Sequence, residues 1–455
     1  MSVLDQTAAV MILYFMAMVA IGIVSSRRVG GLEEFHLAGR SVRDILLTAT
    51  LCATIVGASA TLGMSGMGFK EGLTGAWWLL SGTIGLLVLS LLFAHRIREK
   101  GCFTLPELAG TFYGDRIRIA ASVLIIVSWI GVISAQISAS GRVLGAMFGQ
   151  EQTFMAAAAV IIILYTVLGG QHSVVRTDLV QFAVIITGVV ILLIRSLGAT
   201  GVQVLTDQSF PTSSGRDALG VASLVMIVGS TYLVGPDIYS RLFLARDPGT
   251  ARRSAMTAAL ILVPLAFIIT VLGICARHLF PDISPEQSIP VLMMNLLSPA
   301  ERGIVGAALL AAFMSSAATP LMTATTTLAM DTYRRIRPES GTSGLLAASR
   351  VGATVIGMVA LGLSLTSPGI IATILSVYTI FVSGMLVPMI AGFYKDRLGI
   401  TSTGALVAIS GGGLTALIFG GSYPLLGIAV SALLLISVSR LDGYVRGGPV
   451  RESGQ

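Results

Sequence analysis

Charge is what this chain of 455 residues lacks most: Asp, Glu, Lys and Arg make up only 11% of it, against about 25% in soluble globular domains. That scarcity excludes an ordinary water-soluble domain. Cysteine is nearly absent, and Cys52, Cys102 and Cys275 lie in or beside apolar stretches without CxxC spacing, so neither a disulfide framework nor a Cys/His metal centre is indicated. His36, His95, His172 and His278 are scattered, with no His-x-x-x-His pair, which argues against a zinc-type site. No Ser/His/Asp constellation or glycine-rich phosphate loop stands in usable context, so the chain does not read as an enzyme. What it has is apolar sequence, 54% hydrophobic with a mean hydropathy of +0.88. It reads as a polytopic, all-α membrane protein.

Hydropathy divides the chain into about thirteen helices, at roughly 6–25, 43–66, 73–94, 117–141, 153–169, 177–198, 219–241, 254–276, 300–330, 346–366, 370–393, 401–420 and 423–440. The first is followed by Arg27 and Arg28 and by many more spans, so it reads as a retained helix rather than a cleaved signal. Charge tests the division. With the N-terminus outside and the C-terminus cytoplasmic, all of the 29 basic residues fall on the cytoplasmic side except Lys70, Arg142, Arg195, Arg216, Arg277 and Arg302, as the positive-inside rule requires. Arg241, Arg246, Arg252 and Arg253 read as cytoplasmic anchors of helices seven and eight. The tail from Leu441 is too short to fold as a signalling domain.

Two helices carry breakers at matching places. Helix two contains Gly57, Gly63, Gly66 and Gly68, and helix seven contains Gly229, Gly235 and Pro236. They stand five helices apart, an odd number, so two halves carrying them have opposite topology; this is the pattern of an inverted repeat whose broken helices free backbone groups at mid-membrane. Helix nine, in the apolar stretch from Gly303 to Arg335, carries a line of hydroxyls: Ser315, Ser316, Thr319, Thr323 and Thr325 to Thr327. Polar groups at that depth point to function, although serine and threonine also let helices approach closely.

The motifs resemble those of the sodium:solute symporter family. GGLEEFHLAGRSVRD, LGGQHSVVRTDLVQ, GPDIYSRLFLARD and AAFMSSAATPLMTATTTLAMDTYRR are similar to four of its signatures, in order and in the right helices. The resemblance implies one transporter domain over 1–455 with a LeuT-like 5+5 inverted repeat: an extra helix at 6–25, repeats at 43–198 and 219–393, and two further helices at 401–440. It implies sodium-coupled symport of a small organic solute, an organic acid, amino acid or similar, across the bacterial inner membrane, with sodium as coupling ion and no cofactor. A proton-coupled carrier on the same fold is the alternative, ahead of a transporter-like sensor or a channel.

By the same resemblance, sodium sits between helices two and nine on the carbonyls of Ala53, Val56 and Ala312 and the hydroxyls of Ser315 and Ser316. Such an all-oxygen set suits a hard cation, and Ala312, Ser315 and Ser316 share one helix face. Asp178 with Thr319 would hold a second sodium, or Asp178 is a helix-start acid paired with Arg176. Ala318 stands where some relatives have a hydroxyl, and Ile55 where proline carriers have an acid. Candidate solute residues are Ser59 and Thr61, Gln136, Ser230 and Tyr232, and Tyr378 and Ser383.

Overall fold

The computed structural model describes residues 3–26, 30–366 and 369–446; Arg27, Arg28 and Arg451, used above to orient the chain, lie outside them. With backbone polar groups to be satisfied away from water, a membrane chain forms helices or closed barrels, and this one forms helices. Among the described residues the only strand-like pairings are two isolated bridges, Val42 with Ala245 and Ser213 with Arg216. Among the described residues eleven helices are long and apolar enough to cross a membrane. Two of these hold more than one crossing: 59–99 spans 41 residues and 151–200 spans 50, roughly 60 and 75 Å at 1.5 Å per residue against about 30 Å of hydrocarbon. Each is divided by a glycine in left-handed backbone, Gly72 at φ 71° and Gly170 at φ 52°.

Numbering by these breaks gives α1 (Val3–Ser26), α2 (Asp44–Ile55, resuming as Ser59–Gly63 and Met64–Glu71), α3 (Trp77–Val88 and on to Glu99) and α4 (Asp115–Phe148). The two parts of Glu151–Thr200 are α5 and α6. Then come α7 (Ala218–Leu224 to Ser230–Val234, then Pro236–Leu244), α8 (Pro248–Leu279), α9 (Pro299–Ile336), α10 (Thr342–Ser364), α11 (Ile370–Gly392), α12 (Ser402–Phe419) and α13 (Leu426–Arg446). Helix α9 is the centre of the bundle, packed against α1, α4, α5/α6 and α10, while α12 and α13 pair with each other beside α11. The start of α2 and the end of α7 are tied by backbone bonds, Val42 N–H to Leu244 O at 3.2 Å and Arg246 N–H to Val42 O at 3.0 Å. That tie puts both broken helices in one layer against α9.

Several expectations need correction. Helix α4 does not stop near residue 141 but runs to Phe148 and ends at Gly149, φ 75°. Arg142 does not terminate it, because the guanidinium finds Glu286 across the bundle while the helix waits for a residue that accepts left-handed backbone. Residues 170–176 form no loop: helix resumes directly after Gly170. Asp178 therefore lies inside α6, not at its start. Arg241 is not an anchor in the headgroup region; its side chain is 0% exposed.

Candidate functional site

The break in α2 is built from misdirected hydrogen bonds. In a continuous helix the N–H of Gly57 would bond Ala53 O and that of Ala58 would bond Thr54 O. Instead Gly57 N–H turns back to Ile55 O at 3.0 Å, and Ala58 N–H bonds the Gln136 Oε1 of α4 at 2.8 Å. The carbonyls of Ala53 and Thr54 are thereby released from the ladder. Both are met by α9. Ser315 Oγ lies 2.7 Å from Ala53 O and 3.0 Å from Ala312 O, and Ser316 Oγ lies 2.8 Å from Thr54 O and 3.2 Å from Ala53 O. Opposite them, Pro320 has no N–H to offer Ser316 O, so the α9 ladder is opened at the same level. Gly57 makes the approach sterically feasible: a Cβ there would stand 2.6 Å from Ser316 Cβ and Oγ.

Of the five residues expected around sodium, four converge: Ala53, Ala312, Ser315 and Ser316. Val56 closes the first part of α2 at φ −83°, ψ 69°, while Thr54 supplies the carbonyl that Ser316 meets. Sequence reasoning missed Thr54 because backbone oxygens carry no residue signature. The cluster is buried and made of neutral oxygens, a donor set that can replace the water shell of a small monovalent cation.

One turn along α9, Thr319 belongs to a second network with a fixed cation of its own. The Arg241 guanidinium donates through Nη2 to Asp178 Oδ2 at 3.2 Å and to Thr319 Oγ1, through Nη1 to Gln171 Oε1 at 2.6 Å, and through Nε to Thr54 Oγ1 at 3.3 Å. Thr50 donates to the same Asp178 oxygen, and the Thr54 and Thr319 hydroxyls are 3.0 Å apart. Arg176, the neighbour expected to pair with Asp178, instead reaches Ser25 Oγ at 3.3 Å. This ion pair, fully buried on both sides, fastens α2, α6, α7 and α9 at one point. Breaking such a pair by removing one partner typically costs about 3–5 kcal/mol.

Next to Ser316 is a cavity of about 20 Å³ lined by Thr54, Ile55, Gly57, Ser59, Val132, Gln136, Thr231, Tyr232, Asp237, Ile238, Ser316 and Tyr378; that is room for about one water. Ser59, Gln136, Tyr232 and Tyr378, from α2, α4, α7 and α11, are brought together in its lining. Thr61 does not line the cavity, because its hydroxyl bonds Gly57 O at 2.8 Å and seals the break. Ser383 lies against Gly412 of α12 and Gly427 of α13, on the face of α11 turned from the cavity. Ser230 is buried beside Thr231 and is not among the lining residues. The residue missed is Asp237, which follows Pro236 at the restart of α7; an acid within an apolar span was its signal.

Beyond the spanning segments, His36 is buried between α9 and α10, with Nδ1 2.9 Å from Thr326 Oγ1 and Nε2 3.2 Å from Ser349 Oγ. Burial, which disfavours the charged ring, lowers its pKa to about 4. At the same end Arg118 Nε donates to Asp331 Oδ1 at 2.5 Å, tying α4 to the end of α9.

Broken helices from two repeats, facing a central helix through released carbonyls and hydroxyls, define a secondary active transporter of LeuT-like fold. The chain belongs to the sodium:solute symporter family, whose model matches residues 35–412. It is similar to the sodium/pantothenate symporter of Escherichia coli K12, at 28% identity over 84% of this chain and 83% of that one. It is also similar to the sodium/proline symporter of the same organism, at 26% over 77% and 75%, and to the osmoregulated proline transporter OpuE of Bacillus subtilis 168, at 26% over 90% and 87%. Among solved structures, a substrate-bound, outward-open sodium-coupled sialic acid symporter superposes with a TM-score of 0.82 at 15% identity, covering 96% of this chain and 98% of that one. MhsT in complex with L-phenylalanine gives 0.60 at 13% identity, covering 88% and 97%; at these identities the likeness is one of fold. The protein is a multi-pass membrane symporter that couples sodium to the movement of a small solute, without a cofactor.

Proposed function

We propose that a single sodium ion binds between α2 and α9 on the carbonyls of Ala53, Thr54 and Ala312 and the hydroxyls of Ser315 and Ser316, with Val56 O completing the break. The observation that carries this reading is the pair of carbonyls released from α2 and met by two adjacent serines. Each hydroxyl rotates its proton away and turns its lone pairs to the ion. The solute binds beside it, between Ser59, Gln136, Tyr232 and Tyr378. Because sodium draws α2 and α9 together and so shapes the wall of the cavity, each ligand strengthens the other's binding by the same factor. An inward sodium gradient then drives uptake; at 100 mV one ion contributes about 2.3 kcal/mol.

Asp178 and Thr319 hold no second sodium in this reading, since one nitrogen of Arg241 donates to both and a tethered cation takes the place of a mobile one. The two repeats span 43–198 and 219–393, and thirteen crossings leave the N-terminus outside and the C-terminus in the cytoplasm, supported by the basic residues gathered on one side. Proteoliposome uptake of candidate solutes under an inward sodium gradient tests the coupling. Uptake that needs sodium and is unmoved by a proton gradient supports it; uptake driven by protons without sodium refutes it.

A further inference from the structure

Resting on that reading of the cavity, we infer that the solute carries a positively charged nitrogen, an ammonium or quaternary ammonium, and that Asp237 recognises it. Asp237 is the one charged residue lining the cavity. The nearby guanidinium of Arg241, one turn further along α7, is turned away to Asp178, Gln171, Thr319 and Thr54. Among the described residues Asp237 enters no ion pair, and its carboxylate accepts from backbone N–H groups alone, that of Ile238 to Oδ1 at 3.0 Å and its own. A carboxylate taken out of bulk water needs compensation, and the helix start supplies only part of it. The remaining demand is for a cation. Tyr232 and Tyr378, which share the cavity wall, are aromatic rings of the kind that attract one.

The charge bookkeeping supports the assignment. Ser316 lines the same cavity, so a cationic solute would lie close to the proposed sodium ion, and the Asp237 carboxylate offsets their repulsion. A zwitterion such as an amino acid or a betaine satisfies the site with both ends, its carboxylate facing the sodium side and its nitrogen facing Asp237. The competing account is that Asp237 only caps the restart of α7. Asp237→Asn separates the two, because the amide oxygen still accepts from Ile238 N–H while the charge is gone.

The test is thermal unfolding of the full chain in detergent, in saturating sodium chloride, with L-alanine against L-lactate, and L-proline, glycine betaine and choline against glucose and pantothenate. The expected result is that stabilisation is confined to probes bearing the charged nitrogen. In Asp237→Asn the concentration giving the same stabilisation should rise at least tenfold, while the sodium-induced shift measured without probe stays as in the wild type. The inference is overturned by stabilisation by lactate, glucose or pantothenate, by no stabilisation from any nitrogen-bearing probe, or by a selected amine that Asp237→Asn binds equally well. Loss of the sodium shift in Asp237→Asn alone also overturns it, making Asp237 a sodium ligand. A wild type with no sodium shift at all would instead sink the sodium site on which the inference rests.

Discussion

Replacing Ser316 with alanine removes one hydroxyl from the released carbonyls of α2, and its two consequences separate. Without sodium, Thr54 O loses the donor at 2.8 Å and has no substitute, because Ala58 N–H is held by Gln136; a buried acceptor left bare costs about 1–3 kcal/mol. Ala53 O keeps Ser315 at 2.7 Å, so the break itself persists. With sodium, the ion loses one of its oxygens. If that weakens binding about tenfold, sodium at roughly 100 times the wild-type Kd stabilises the wild type by about 2.7 kcal/mol and the variant by about 1.4 kcal/mol. The assay is a sodium titration of thermal unfolding at constant ionic strength, choline replacing sodium. The variant should start lower and need about ten times more sodium to reach the same gain as the wild type. A gain that depends on sodium as in the wild type, whatever the starting stability, would refute the ligand role of Ser316.

Asp178→Asn or Arg241→Gln should each destabilise the protein by about 3–5 kcal/mol by leaving a buried charge uncompensated, whereas the double variant should recover part of the loss in a double-mutant cycle read by thermal unfolding. Gly57→Ala should abolish the sodium-dependent shift while leaving the helical circular dichroism intact, because its Cβ would drive α2 from Ser316; a normal sodium shift in this variant would contradict the geometry. His36, lowered to about 4, binds more protons unfolded than folded between there and about 6.5. Its contribution is therefore complete above about pH 6.5 and is lost as pH falls towards 4, by up to about 1.4 kcal/mol per unit. Unfolding measured across that window should be steeper in the wild type than in His36→Gln, and equal slopes would remove the assignment.

The repeat and the central helix were legible because they are written in local pattern: Gly235 and Pro236 interrupt an otherwise apolar α7, and the hydroxyls of α9 recur at helical spacing. What escaped was long-range. Arg241 sits beside three other arginines at the end of a span and so reads as an anchor; only the fold shows that Asp178, 63 positions earlier, turns it inward. A clue existed, since an acid inside an apolar stretch demands a partner, and Arg241 itself closes such a stretch. Thr54 was hidden for a different reason, because a carbonyl becomes a ligand through the hydrogen bond its ladder partner fails to make. Thr61 and Ser383 have the right chemistry at the right depth, but polarity alone does not say which face of a helix looks into a cavity. The gap expected between helices at 170–176 is helical because the polar Gln171 there holds Arg241 rather than meeting water.

The central claim is a single sodium ion on neutral oxygens between α2 and α9. Equilibrium binding of radioactive sodium to the purified protein tests it most directly, with excess unlabelled sodium or potassium as competitors. The account predicts saturable binding of about one ion per chain, displaced by sodium but not by potassium and weakened in Ser316→Ala. Absence of saturable binding, or saturable binding indifferent to both serines, would contradict it.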